Sequence, residues 1–580
     1  MSFRPPVRDL AFALNDVVGL ESLIALFPEF DQETLMAVLE AAGELAAGVL
    51  APLNRIGDQV GAKFENGQVI SAPGFKAAYQ EFVDGGWNGL SADPEFGGQG
   101  LPRAVALAVF EMISAANMSF GLAPMLTLGA IEALTAHGTD RQKALYLPHL
   151  TNGAWSGTMN LTEPQAGSDL ALVRAKAEPD GEGTYRITGQ KIYITWGDHD
   201  CAENIIHLVL ARLPNAPDGV KGISLFLAPK KLVSKEGVIG AANALRPGGI
   251  EHKLGIHASP TCTMLFEGAK AELVGAPNQG LACMFTMMNS ARLNVGIQGV
   301  AIAERAYQHA LAYAQERRQG RSPWSTDAVA PIIDQPDVRR TLALMKAKIE
   351  AGRAICLATA VAADVAHLSA DPEVKAKARL REELFTPIAK AWCTDVGVEV
   401  ASAGVQVHGG MGFVEETGAA QHYRDARIAP IYEGTNGIQA MDLAGRKLGL
   451  GGGEAVRQLV ADMKATVTDL TAPEVQVVGA RLAAAIDAVE HASAWMLEQK
   501  GTPNALAGAT AYLKLLGDTV GGWMLAKGAL AAAKGPDAAA RGALARLYAD
   551  QVLTGAAGLA EGVMAGSGDL EALTAGVLAA

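Results

Sequence analysis

Between residues 32 and 150 apolar side chains recur every three or four positions, as at Leu35, Val38 and Leu39, which predicts helices; a polar, glycine-rich stretch from Asn88 to Gly100 divides them. From 156 to 280 the period falls to two. Tyr185 and Ile187, then Ile192 and Ile194, alternate with polar neighbours, and Pro179-Asp180-Gly181-Glu182-Gly183 has turn chemistry, so strands are expected there. Continuous apolar runs at 205–210 and 223–227 add further strands. The helical period returns at 281–318 without a proline, a stretch that at about 1.5 Å per residue spans roughly 55 Å and belongs in a bundle. A second helix is expected over 337–368 and a third over 372–407, the latter having to accommodate Pro387.

Beyond a glycine-rich break at 449–453 the chain divides at Pro473, at Gly501 to Pro503 and at Gly535-Pro536, which predicts four more helices. Val478, Leu482, Ile486 and Val489 mark one buried face of the second. The pattern describes a multidomain α+β protein: an N-terminal helical domain (1–155), a β domain (156–280), a helical bundle (281–450) and a C-terminal helical extension (451–580). The extension shows no chemistry. A packing or dimerisation role is expected of it ahead of a membrane-surface one.

Composition narrows the class. Of the 580 residues 49% are hydrophobic and 19% charged, which suits a packed globular chain with room for a large ligand. The formal charge of −13 argues against a general nucleic-acid binder, so an anionic substrate would need a local basic patch. Cysteines 201, 262, 283, 356 and 393 form no metal-ligand or disulfide pattern, and a reducing interior and no metal are expected. The opening ten residues, with Arg4, Arg8, Asp9 and two prolines, are unlike a secretory signal, and the expected location is the cytoplasm. One charge-free run, 112–131, reaches membrane-spanning length, but Ser114, Asn117, Ser119, Gly121 and Pro124 interrupt it; a buried helix pair is expected.

Two segments late in the bundle carry the candidate chemistry. Gln406-Val407-His408-Gly409-Gly410-Met411-Gly412 offers glycines at a helix end, where backbone can approach a diphosphate closely. Ile431-Tyr432-Glu433-Gly434-Thr435-Asn436-Gly437-Ile438-Gln439 follows and places one carboxylate in a loop. Together they closely resemble the C-terminal signature of acyl-CoA dehydrogenases, flavoenzymes that desaturate the acyl chain of a coenzyme A thioester. The resemblance covers about residues 30 to 450, and the order helices, strands, helices is that of the family fold, a β-barrel between two helical domains. The extension, the opening Val7-Arg8-Asp9-Leu10-Ala11-Phe12 and the segment Thr195-Trp196-Gly197-Asp198-His199-Asp200 resemble the longer bacterial branch of the family, to which enzymes acting on 3-methylmercaptopropionyl-CoA belong.

The resemblance implies roles residue by residue. Glu433 is the catalytic base; Ala291 occupies the position from which some members supply it instead. Leu161, Thr162, Gly167 and Ser168, in Met159-Asn160-Leu161-Thr162-Glu163-Pro164-Gln165-Ala166-Gly167-Ser168-Asp169, would lie against the pyrimidine side of the FAD ring, with Gln165 departing from the family's glycine at the turn. Tyr193, Ile194 and Thr195 would flank its reactive edge, Tyr193 replacing a tryptophan. Arg317, favoured over Arg318, would reach the FAD pyrophosphate across a subunit interface, where a guanidinium fork suits phosphate oxygens. Gln406, Gly409, Gly410, Thr435 and Gly437 would complete the FAD contacts, and Asn289, Arg292 and Gly434 those to acyl-CoA.

The implied reaction is α,β-dehydrogenation to the trans-2-enoyl-CoA. Glu433 removes the α-proton while a β-hydride passes to flavin N5, and electrons leave through electron-transferring flavoprotein from a homodimer. Burial should raise the carboxylate pKa, and hydrogen bonds from the Glu433 N–H and a ribityl hydroxyl should stabilise the developing enolate. An oxidase passing electrons to oxygen, or a helical scaffold without flavin, are the rival readings.

Overall fold

The computed structural model describes residues 3–181 and 183–579; Met1, Ser2, Ala580 and Glu182, part of the expected 179–183 turn, lie outside them. The first long helix, Gln32–Leu45, starts where the Asp31 carboxylate accepts the Thr34 N–H at 2.8 Å, and it runs through a π-helical turn, Ala46–Leu50, into Ala51–Val60. A small antiparallel hairpin, Lys63–Glu65 with Gln68–Ile70, follows. Its signal was Asn66-Gly67, both at positive φ, the pairing that a tight hairpin turn demands.

The membrane-length apolar run is a buried helix pair, Arg103–Ala116 and Met118–His137. The break is Asn117, whose side chain accepts the Phe120 N–H at 3.1 Å and donates to the Leu50 carbonyl at 3.3 Å. By length and composition Gln32–Val60 and Met118–His137 are both apolar enough to cross a membrane, and Met118–His137 is buried inside the protein along most of its length.

Five strands close a barrel in the middle of the chain. Thr261–Val274 pairs with Thr184–Thr195, which pairs with Lys176–Pro179; Asn204–Arg212 and Ile223–Pro229 complete the ring back to Thr261–Val274. Trp155–Asn160 adds in parallel to Asn204–Arg212, and Leu245–Ile250 to the other edge. Ile187, Val209, Phe226, Met264 and Phe266 fill the interior. Simple alternation along Thr184–Thr195 fails at one point: Lys191 and Ile194 are buried whereas Ile192 is only half-buried. A bulge explains it, since Ile192 and Tyr193 together stand opposite Thr263 alone, and Tyr193 takes φ +59°.

The bundle is built on Gly280–Glu316, Pro336–Leu368 and Pro372–His408, the last running straight through Pro387. Gly296 and Gly299 let the first and third touch backbone to backbone; a Cβ on Gly299 would stand 2.4 Å from the Cys393 carbonyl oxygen. Arg353, fully buried, bridges Glu111 and Glu304 at 2.5 and 2.9 Å and so ties the bundle to Arg103–Ala116.

The extension holds more helices than the turn residues indicated. Glu454–Asp469, Gln476–Glu498 and Pro503–Ala532 follow the expected breaks, but the fourth divides at Leu553–Gly555 into Ala538–Gln551 and Ala556–Met564, with two short turns after it. Val478, Leu482, Ile486 and Val489 are all buried. The extension docks on the bundle: Trp392 donates its indole N–H to Asp518 at 2.8 Å, and Gly517 leaves the space its ring occupies. The first helix, Val7–Phe12, belongs to this junction as much as to the N-terminal helices. Asp9 pairs with Lys346 at 2.6 Å and Arg541 at 3.3 Å, while the Arg541 guanidinium lies 3.5 Å over the Phe12 ring.

Candidate active site

The loop leaving Trp155–Asn160 is organised from beneath. Glu163 and Ala166 exchange backbone hydrogen bonds at 3.0 and 2.9 Å, and the buried Glu163 carboxylate accepts the Arg174 and Ala175 N–H groups at 2.8 and 3.0 Å. Lys191, wholly buried, donates to that carboxylate at 2.8 Å and to the Leu161 carbonyl at 3.0 Å. Burial brings the Lys191 pKa down to about 8, against the pull of Glu163. Burial also lifts Glu163, but Lys191 and the two peptide donors outweigh it and hold the carboxyl below its usual range. Gln165, the departure at the turn, donates to Glu163 at 2.6 Å and to the Leu172 carbonyl at 3.1 Å, replacing what a glycine turn would do by side-chain bonding.

That post fixes the rim. The Ile192 N–H donates to the Thr162 carbonyl at 2.9 Å, so Thr162 and the bulge carrying Tyr193 share one edge. Gly167 and Ser168 are exposed beside it, and the space where a Gly167 Cβ would sit is open. Tyr193 leaves 62% of its surface uncovered, a ring face awaiting a flat partner. Thr195 is anchored through its carbonyl, which accepts the Thr158 hydroxyl at 2.8 Å. The Ile194 side chain is buried in the barrel core, which leaves its peptide to face the rim.

Glu433 stands at φ +54° between Tyr432 and Gly434, the latter at φ +87°, in a turn that Thr435 ends by capping Asn436–Asp442 through the Ile438 N–H at 3.2 Å. A Cβ on Gly434 would meet the Gln439 amide at 2.7 Å, which is why glycine follows the acid. Among the described residues no group hydrogen-bonds or ion-pairs with the Glu433 carboxylate, and no acceptor takes its N–H. Burial pushes its pKa up to about 7, against Lys390 and then Arg292, which lower it. Tyr432 beside it donates to Gln298 on the long helix.

Arg292 is buried rather than solvated; it reaches Asn289 at 3.4 Å and Asp442 at 3.8 Å, and its Nε has no partner. Ala291 is buried beside it and carries no base. Lys390, which sequence reasoning passed over, is fully buried and donates to Asn436 at 2.9 Å. A single charge inside the apolar run Ile388-Ala389-Lys390-Ala391-Trp392 was the available signal.

The residues expected to hold a diphosphate gather elsewhere. Gln406, Gly409 and Gly410 are exposed at the end of Pro372–His408, Gly409 takes φ +60°, and open space surrounds the positions where Cβ atoms on both glycines would lie. His408 stacks on Tyr313 at 4.5 Å, which puts this turn beside the far end of Gly280–Glu316. Arg318 is engaged by Asp327 at 2.9 Å and the Val329 carbonyl, whereas Arg317 touches only Gln319 at 3.4 Å. Thr435 and Gly437 stay with Glu433 at the other end. Among the described residues no cluster of ligating side chains suits a metal ion.

A barrel set between two helical bodies, an open flat-ring rim on the barrel and a partnerless carboxylate on a bundle loop define a flavin-type dehydrogenase. The sequence matches the acyl-CoA dehydrogenase N-terminal domain over 33–154, the middle domain over 158–269 and the C-terminal domain over 278–448, and over 459–574 a domain described as acetyl-CoA dehydrogenase C-terminal like. The chain belongs to the acyl-CoA dehydrogenase family, FAD-dependent oxidoreductases of acyl-CoA thioesters. It is 49% identical to 3-methylmercaptopropionyl-CoA dehydrogenase of Ruegeria pomeroyi over 95% of this chain and 96% of that one, and 36% identical to a butyryl-CoA dehydrogenase of Syntrophomonas wolfei over 79% and 77%. The fold resembles that of Caenorhabditis elegans ACDH-11 in complex with C11-CoA, with a TM-score of 0.80 at 20% identity over 95% and 92% of the two chains.

Proposed function

We propose that this protein dehydrogenates a short thioether acyl-CoA, 3-methylmercaptopropionyl-CoA foremost, to the trans-2-enoyl thioester, with Glu433 as the base. One observation carries the base assignment: a half-buried carboxylate held on a left-handed turn, with no hydrogen bond or ion pair of its own among the described residues. A carboxylate so placed is a stronger base near neutral pH than one in solution. The substrate assignment draws its support from the 49% identity that runs through nearly the whole of both chains.

The residues present fit FAD: an uncovered aromatic face at Tyr193, polar hydroxyls at Thr162, Ser168 and Thr195, and open glycine backbone at Gly409 and Gly410. When bound, FAD supplies the acceptor for the β-hydride. Glu433 takes the α-proton, and its free N–H donates to the thioester oxygen, where negative charge develops. Arg292 and Asn289, one helical turn apart, hold the CoA portion.

The reading includes a homodimer in the cytoplasm that passes electrons to electron-transferring flavoprotein. Arg292, thirteen residues into Gly280–Glu316, and Arg317, which caps its C-terminal end, are twenty-five residues or roughly 37 Å apart, too far for both to serve one site within one chain. A partner would supply the diphosphate end. Phe413, 89% exposed between Met411 and Val414, gives that end an apolar face for it.

The test is Glu433→Gln in the flavin-loaded enzyme, followed by anaerobic bleaching of the flavin with a panel of acyl-CoA thioesters. Wild type should bleach fastest with 3-methylmercaptopropionyl-CoA, and the variant should bind it while bleaching at least ~10²-fold more slowly. A variant keeping a tenth of wild-type rate sinks the base assignment. Hydrogen peroxide release without an added acceptor would make the enzyme an oxidase.

A further inference from the structure

The groups around Glu433 form a charged shell with an unequal distribution of partners. Arg292, from Gly280–Glu316, has Asp442 at 3.8 Å, and Arg446 also pairs with Asp442. Lys390, from Pro372–His408, has among the described residues no carboxylate within ion-pair distance, and the one hydrogen-bond partner of its ammonium there is the Asn436 side-chain oxygen at 2.9 Å. Asn436 in turn donates to the Ala391 carbonyl at 3.1 Å, to Thr394 at 3.0 Å and to Asp395 at 2.8 Å. It lies three residues beyond Glu433, so the catalytic loop is pinned to the very helix turn that carries the lysine. A buried ammonium with no carboxylate bound to it is costly unless a charge nearby compensates it. Glu433 and Asp395 are the acids whose charge reaches it, and Asp395 is shared with Lys514 and Arg427.

We propose that Lys390 is a positioning residue for the reaction: through Asn436 it holds the Glu433 loop, and with its own charge it keeps Glu433 ionised and ready in the free enzyme. The proposal rests on Glu433 being the base. Burial alone would drive that carboxyl higher than it stands, and Lys390 is the larger of the two charges restraining it. The same burial brings Lys390 down to about 7, against Glu433 and Asp395, so the two groups depend on each other for their charge. Without such a restraint a carboxylate this withdrawn would be protonated across the neutral range and unable to accept the α-proton.

The sign of the effect is fixed. Activity requires the carboxylate, so kcat/KM rises with pH through the Glu433 pKa; deleting the neighbouring cation moves that rise to higher pH. Lys390→Met, which removes charge and hydrogen bond, and Lys390→Gln, which keeps a donor towards Asn436, are to be compared with wild type as flavin-loaded enzymes, by the pH profile of kcat/KM for a saturated short acyl-CoA. Both should move the acidic limb up by about one pH unit or more, a tenfold loss on the acid side with recovery at high pH. An unmoved limb in either variant overturns the proposal, and if Lys390→Met yields no folded enzyme Lys390→Gln alone decides it. Glu433→Gln separates the two levels: should it retain turnover, the base reading fails, whereas an inactive Glu433→Gln beside unmoved lysine profiles removes only Lys390.

Discussion

The N-terminal half of Gly280–Glu316 and its C-terminal end are built on opposite principles. In the N-terminal half Arg292 and Gln298 are buried together with Lys390 of the neighbouring helix, and the half-buried Glu433 loop is tied to two of them, Tyr432 donating to Gln298 and Lys390 donating to Asn436. At its C-terminal end Arg317, Gln406, Gly409 and Gly410 are exposed and nearly without partners, beside an uncovered Phe413. Groups that must have their proton affinity tuned need a dry, fixed surround, because pKa shifts of this size come from burial and close charges. Groups that would grip a diphosphate, as proposed for this end, need accessible donors and can stay in water until a ligand arrives.

The contrast can be broken most forcefully at Glu433, where the Gln variant should lose ~10²–10⁴-fold in flavin bleaching yet keep its FAD. Lys191→Met leaves the Glu163 carboxylate buried without its cation and should destabilise the barrel by about 3–5 kcal/mol, read as a drop in thermal midpoint with weaker flavin retention. Arg317→Ala, at the open end, should leave the thermal midpoint of the flavin-free protein unchanged. It should weaken FAD binding by about 1.5–3 kcal/mol, or roughly 10- to 100-fold in Kd by flavin titration. Mixed dimers sharpen this: combining Glu433→Gln with Arg317→Ala chains should regain activity, since one of the two sites would then receive both intact ends. No recovery would mean that each chain builds its site alone.

The smallest effect is on wild type itself. Glu433 sits at about 7, above the range of a solvated carboxyl, so kcat/KM should climb through neutral pH and fall about tenfold for each unit below it. An enzyme with a flat profile between pH 5 and 8 would contradict a base of that pKa.

Much of this site was readable along the chain, because its contacts are local. Glu433 with Gly434, and Gly409 with Gly410, are backbone devices whose residue types announce them. What escaped is non-local. Lys191 with Glu163 lie twenty-eight residues apart and meet only in the fold; Lys191 keeps the inward phase of Ile187, and the bulge at Ile192-Tyr193 then passes that phase to Ile194. Lys390 is forty-three residues from Glu433 and has no motif of its own. The division of the last predicted extension helix at Leu553–Gly555 has only Gly555 to mark it in an alanine-rich stretch, too weak a signal against high helix propensity.

The sequence by itself determined the family, the order of helices and strands, and the motif that carries the proposed base, since these depend on residue type and short spacing. Only the tertiary structure decided which charges surround that acid, that the N-terminal helix and the extension share one junction through Asp9 and Arg541, and that Arg292 is buried in the bundle whereas Arg317 is exposed at the end of the same helix. Burial, close charge and distance between segments are properties of packing, and packing joins residues that periodicity along the chain cannot relate.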